Sequence, residues 1–135
     1  MSSQNVIIRR EFPGGRCFEV VISNLLKEQT DCIVNAANGQ LQHKGGIAAM
    51  IATVAGPSLL ADCLEVLRQH GELAVGQAVA TTAGQLPFKA VIHAVGPRFG
   101  VGDELNKLVL ACKSAFECAN HHGFTSLAFP GISAG

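Results

Sequence analysis

The stretch DCIVNAANGQLQHKGGIAAMIATVAG, residues 31–56, decides how the rest of the chain is read. Cys32-Ile33-Val34 is a short apolar run and reads as a buried strand. The run breaks at Asn35-Ala36-Ala37-Asn38-Gly39, and after Gly45-Gly46 the uncharged segment 47–55 reads as a helix. Strand, glycine turn and helix in that order aim backbone N–H groups and a helix N-terminus at an anion. Asn35 and Asn38 add amide donors and acceptors where the strand ends. The pattern points to a phosphate-bearing small molecule held at the C-terminal edge of a sheet. An ordinary core helix entered through a tight turn leaves the same trace, and this stretch alone does not separate the two.

Because segment 47–55 carries no charge on any face, it is expected to be buried all round. It is too short to span a bilayer, and no membrane role is expected. Ten basic residues balance ten acidic ones, so no electrostatic footprint for nucleic acid is visible. Length and apolar content suit a single small α/β domain, residues 1–135. Met1-Ser2-Ser3-Gln4-Asn5 lacks the look of a signal peptide. Cysteines stand at 17, 32, 63, 112 and 118, an odd number without CxxC spacing, mostly at apolar positions. They read as buried free thiols in a reducing, intracellular setting, cytoplasmic or nuclear. Cys118, His121 and His122 could in principle hold a metal; a helix that ends in polar residues explains them better, and no metal is expected.

Toward the N-terminus, Val6-Ile7-Ile8 and segment 17–22 flank the turn Pro13-Gly14-Gly15, which predicts a hairpin-like start. Leu25 opens a short helical turn after Ser23-Asn24. Toward the C-terminus, Gly56-Pro57 closes one helix and opens another, with Leu60, Cys63, Leu64 and Leu67 at helical spacing as its inner stripe. Strands are expected at 77–82, at 88–95 and at 126–129, the second apolar enough to be buried on both faces. The longest helix, 104–122, is expected to bury Leu105, Leu108, Val109, Cys112, Phe116 and Ala119. His93, on the second of these strands, reads as a base or, with better support, as a hydrogen-bonded core histidine.

Four segments then combine: Asp31-Cys-Ile-Val-Asn-Ala-Ala-Asn38, Gly45-Gly46-Ile47-Ala48-Ala49, Val91-Ile-His-Ala-Val-Gly-Pro97 and Phe129-Pro-Gly-Ile-Ser-Ala-Gly135. In this order they resemble the macro domain family, which binds ADP-ribose. With His43 ahead of the glycines and Gly96-Pro97-Arg98, the chain looks most similar to the tandem macro domains of vertebrate macro-containing ADP-ribosyltransferases.

The resemblance implies a three-layer α/β/α fold around a central mixed sheet, with ADP-ribose as ligand and no cofactor. It implies adenine near Ser23-Asn24-Leu25, with Asn24 where the family usually has an aspartate. It places Asn38 at the distal ribose, beside Ala36 and Ala37 at the end of the strand. Gly45, Gly46, Ile47 and Ala48 would hold the diphosphate on one side, and Ser133, Ala134 and Gly135 on the other. His43 reads either as a ribose contact or as a loop histidine without a role, and Ser133 lacks a base to make it a nucleophile.

Ala48 stands where hydrolases of the MacroD type carry an aspartate, while other hydrolytic members have alanine there and use an asparagine at the Asn38 position. The resemblance therefore implies a reader of ADP-ribosylated proteins, with Asn38 as the one residue available to catalysis if the chain removes ADP-ribose from acidic side chains. It also implies about three quarters of a domain, ending inside the second phosphate loop. From that end come two further expectations: weakened ligand binding, and an interaction module that self-associates through the exposed end.

Overall fold

The computed structural model describes residues 5–133. Ala134 and Gly135, expected at the second phosphate loop, lie outside the described residues.

Two sheets form. Strands β1 (Val6–Phe12) and β2 (Arg16–Val21) make an antiparallel hairpin around the predicted turn. The main sheet has strands β3 (Cys32–Ala37), β4 (Ala78–Thr81), β5 (Ala90–Val95) and β6 (Leu127–Ala128), in the order β4-β5-β3-β6. β3 runs parallel to both β5 and β6, while β4 is antiparallel to β5, so the sheet is mixed as expected. Helices α1 (Gly46–Ala55) and α2 (Pro57–His70) cover one face, and α3 (Glu104–His121) covers the other.

Alternation along β3 builds both cores. Ile33 points to α1 and α2 with Ile51, Leu59 and Val91; Cys32 and Val34 point to α3 with Ile92, Ala115 and Ala119. All six residues of β5 are buried, which is the signature of a strand with helices on both faces. Asp31 pins the start of β3 to the far end of the chain. Its carboxylate accepts from the Thr125 N–H at 2.8 Å and sits 3.4 Å from Lys89 Nζ, and these partners hold its pKa below the ordinary value.

Several sequence expectations are corrected. Asn35-Ala36-Ala37 is not a break: β3 continues through Ala37 because β5 supplies ladder partners as far as Val95. α1 is not buried all round. It buries Ala48, Ile51 and Ala55 and leaves Met50 and Val54 about half exposed, because the sheet lies on one side of it. In α2 the inner stripe is Leu59 and Cys63 with Val66 and Leu67, while Leu60 and Leu64 (68% exposed) face outward. Two leucine stripes overlap there, and the 114° bend between α1 and α2 selects the one that meets the sheet. α3 buries Ala111, Ala115 and Ala119 rather than Leu105, Val109 and Phe116, since an alanine seam lets the helix approach the sheet closely. Cys17 is exposed, whereas Cys32 and Cys63 are buried and all five thiols are free. The hairpin forms a sheet of its own, with Ile7, Phe12 and Phe18 exposed. Among the described residues no single helix is long and apolar enough to cross a membrane.

Candidate functional site

The C-terminal ends of β3 and β5 lie side by side, with Ala36 opposite Ala94 and Ala37 opposite Val95. Whatever follows each strand therefore gathers at one edge of the sheet. After β3 comes the loop 38–45, and Asn38 organises it. Its Oδ1 accepts from the N–H groups of Gln40 (3.1 Å) and Gln42 (3.0 Å), and its Nδ2 donates to the Gln42 carbonyl at 2.8 Å. The side chain stays exposed and keeps one N–H free of these bonds. Inside the loop, buried Leu41 adopts φ +50°, a left-handed conformation that costs a branched residue energy and is held here by the core beneath it.

α1 then begins on Gly45 and Gly46. Gly45 is extended, Gly46 has φ +59°, and no side chain caps the helix. Around the position of a Cβ on either glycine there is no atom within 4 Å. The first turn also lacks an acidic side chain, so the partial positive charge of the N-terminus is not locally neutralised. Ile47 is half-buried and Ala48 is buried, which leaves their backbone rather than their side chains to face this edge.

After β5, Gly96-Pro97 meets the far end of the chain. A Cβ on Gly96 would stand 2.6 Å from Ile132 Cγ2 and 2.8 Å from Ser133 Oγ, so only glycine lets the two segments touch. The Ser133 hydroxyl donates to the Pro97 carbonyl at 2.7 Å, and Ser133 has φ +58°. That hydroxyl is committed to the backbone. A cleft of about 250 Å³ adjoins this contact, lined by Pro97, Leu108 and Ile132 among others. A larger concavity of about 600 Å³ opens between the end of α2, the edge of β4 and α3. Neither borders the Gly45-Gly46 turn, which is an open surface.

Asn24 caps the short turn Leu25–Lys27, its Oδ1 accepting from the Leu26 N–H at 3.0 Å. One lone pair of that oxygen is therefore occupied. Leu25 is half-buried against the core on the side of α1 and α2. At the end of α3, His122 Nδ1 bonds back to the Cys118 carbonyl at 2.9 Å and its ring stacks on Phe124, which is the behaviour of a helix cap.

Under the loop lies a polar cluster that sequence reasoning misses. His93 is fully buried; Asn35 Nδ2 donates to its Nδ1 at 3.0 Å, and its Nε2–H donates to Thr81 Oγ1 at 2.8 Å. Burial first, then the neighbouring His43, pushes the His93 pKa down to about 3, so it is a neutral core histidine. His43, half-buried, turns its ring toward the core: the ring lies 5.4 Å from that of His93, and its Nε2 is 3.5 Å from Cys63 Sγ. Burial lowers the His43 pKa and, with the charge of Asp62, raises that of Cys63 to about 11. The available signal was alternation: Asn35 and His93 share the face that carries Ile33 and Val91, the face α2 covers.

Comparison with known proteins fits this architecture. The family model described as Macro domain matches residues 34–135. An O-acetyl-ADP-ribose deacetylase from Klebsiella pneumoniae strain 342 is 44% identical over 119 residues, spanning 87% of this chain and 68% of the relative. One from Enterobacter sp. strain 638 is 46% identical, and this chain spans 66% of its length. A solved macrodomain of Oceanobacillus iheyensis with ADP superposes with a TM-score of 0.88 at 34% identity, covering 95% of this chain and 70% of that one. The Trypanosoma brucei macrodomain in complex with ADP-ribose gives a TM-score of 0.72 at 34% identity, over 82% of this chain and 45% of that one. Fold, motifs and relatives agree: the chain belongs to the macro domain family.

Proposed function

We propose that this domain binds ADP-ribose, free and as a modification carried by proteins, and reads the mark without removing it. The observation that carries this reading is the open start of α1. Gly45 and Gly46 are unobstructed, no side chain caps the helix, and its first turn holds no carboxylate. A diphosphate arriving there meets backbone N–H groups and the positive end of the helix dipole, without electrostatic opposition. Solved relatives with ADP and with ADP-ribose support the ligand class. Asn38 then reaches the distal ribose with its remaining N–H, while Asn24 and Leu25 flank the adenine. Ser133, with Ala134 and Gly135 after it, borders the diphosphate from the β5 side. Kinship with the tandem macro domains of ADP-ribosyltransferases belongs to the same proposal and rests on His43 and on Gly96-Pro97-Arg98.

A second reading, hydrolysis of an ester on ADP-ribose, is favoured by the relatives named O-acetyl-ADP-ribose deacetylase. Ala48 at the first turn of α1 supplies no acid or base, and an asparagine at position 38 can orient a water but not deprotonate it. For that reason reading stands first.

Titration calorimetry with ADP-ribose tests the proposal. Wild type should release heat, Asn38→Ala should bind at least about tenfold more weakly, a loss of about 1.4 kcal/mol, and Cys118→Ala should bind normally. No heat at millimolar ligand, or equal losses in the two variants, would overturn the site and favour an interaction module. Incubation with O-acetyl-ADP-ribose and with a mono-ADP-ribosylated protein separates the two readings. Unchanged ester and retained label are expected, and release of either would promote the hydrolase.

A further inference from the structure

The cluster beneath the loop holds a set of donors that the ADP-ribose reading does not use. His43 comes from the loop before α1, Cys63 from α2 and His93 from β5, and their ligand-type atoms all lie within 4.8 Å of one another. His43 Nε2 is 3.5 Å and His93 Nε2 is 3.9 Å from Cys63 Sγ. A tetrahedral ion bound at about 2.0–2.1 Å to nitrogen and about 2.3 Å to sulfur requires N···S separations of about 3.5 Å, a spacing that His43 meets and His93 approaches.

Asn35 supplies the independent observation. Its amide lies against the opposite nitrogens of both rings, with Nδ2 3.0 Å from His93 Nδ1 and 3.5 Å from His43 Nδ1. The residue is fully buried, yet its Oδ1 has no hydrogen-bond partner. A buried amide oxygen without a donor is costly and calls for a state of the protein that satisfies it. When each imidazole gives its Nε2 lone pair to a metal, its proton sits on Nδ1. A half-turn of the amide then lets Oδ1 accept both N–H groups, the usual way in which outer partners orient metal-bound histidines.

From this arrangement we propose that His43, Cys63 and His93 bind a zinc-class divalent cation, oriented from behind by Asn35. The donor set, one sulfur and two imidazoles, suits zinc over magnesium or calcium. On binding, the Cys63 thiol loses its proton to solvent and the His93 Nε2–H moves to Nδ1. Thr81 Oγ1, which accepts that N–H at 2.8 Å, lies on the side of the ring where the ion would sit and must swing aside as it enters. The ion ties the loop before α1 to α2 and β5. The proposal is independent of which nucleotide, if any, the open edge binds.

Chelator-treated protein is titrated with Zn2+ against a chromophoric indicator and, separately, with Co2+ followed by absorption. The expected result is one equivalent of tight metal, with a thiolate-to-cobalt charge-transfer band and the strong visible bands of tetrahedral cobalt. Cys63→Ser should abolish the charge-transfer band. His43→Gln, at a half-buried loop position, should lower the affinity by at least about tenfold. Cys118→Ser and His122→Gln should change neither. Absence of stoichiometric binding, a charge-transfer band that persists in Cys63→Ser, or unaltered affinity in His43→Gln would each overturn the proposal.

Discussion

Gly39 and Gly46 flank the same loop and answer to opposite demands. A Cβ on Gly39 would come within 2.2 Å of the Leu73 carbonyl oxygen, whose own N–H donates to the Gly39 carbonyl at 2.9 Å. On Gly46 it would meet nothing within 4 Å, and what calls for glycine there is φ +59°. Gly39 is required by a neighbour already present. Gly46 keeps an approach clear at a helix start. Gly84 belongs with Gly39: its Cβ would lie 2.2 Å from the Ala55 carbonyl oxygen, at φ +58°. Glycine content alone therefore says little about ligand binding; what matters is whether the missing methyl would strike protein or open solvent.

Four measurements press on this contrast. The largest effect belongs to the crowded group: Gly84→Ala should cost at least about 3 kcal/mol in urea unfolding, since it combines a backbone clash with a strained φ. A loss below about 1 kcal/mol would erase the distinction. Next comes the polar cluster under the loop. His93 is neutral in the fold down to about pH 3, whereas an unfolded histidine takes a proton near 6.5. Between those values the unfolded chain binds more protons, so stability is kept above pH 6.5 and lost as the pH falls. His43, also lowered, acts in the same direction. Unfolding curves at pH 7 and pH 5 should differ by about 1–2 kcal/mol, and a flat profile would mean that His93 titrates normally.

A smaller change is expected at the open group. Gly46→Ala should lose about 1 kcal/mol for its left-handed φ, with no clash to add. Smallest of all, Gly45→Ala should leave stability within about 0.5 kcal/mol, because Gly45 is extended and uncrowded, while ADP-ribose affinity falls. Equal stability losses at Gly45 and Gly84 would break the comparison outright.

Much of the fold was legible because it is written in local patterns. Pro13-Gly14-Gly15 marks the hairpin, Gly56-Pro57 marks the bend between helices, and the apolar run at β5 marks a doubly covered strand. Helix faces were read less well, since hydrophobic size is a poor guide where alanine makes the contact. α3 turns Ala111, Ala115 and Ala119 to the sheet and leaves Leu105 and Phe116 outside. Of the candidate site, the glycine turn and Asn38 were visible as motif. What Asn38 does for its own loop, and the meeting of His43, Cys63 and His93, depend on contacts across three elements, which spacing in one dimension does not encode.

The position of β3 also sets a timetable. Its parallel neighbours arrive late: Asn35 meets His93 across 58 residues, and Asp31 meets Ser126 across 95. Each pairing closes a long loop before the contact it brings can offset the lost chain entropy, which makes for slow assembly. On a ribosome, the central strand would leave the exit tunnel well ahead of both partners, with Ile33 and Val34 uncovered meanwhile. The hairpin β1–β2, by contrast, pairs strands joined by a short turn, so its own ladder closes only a short loop.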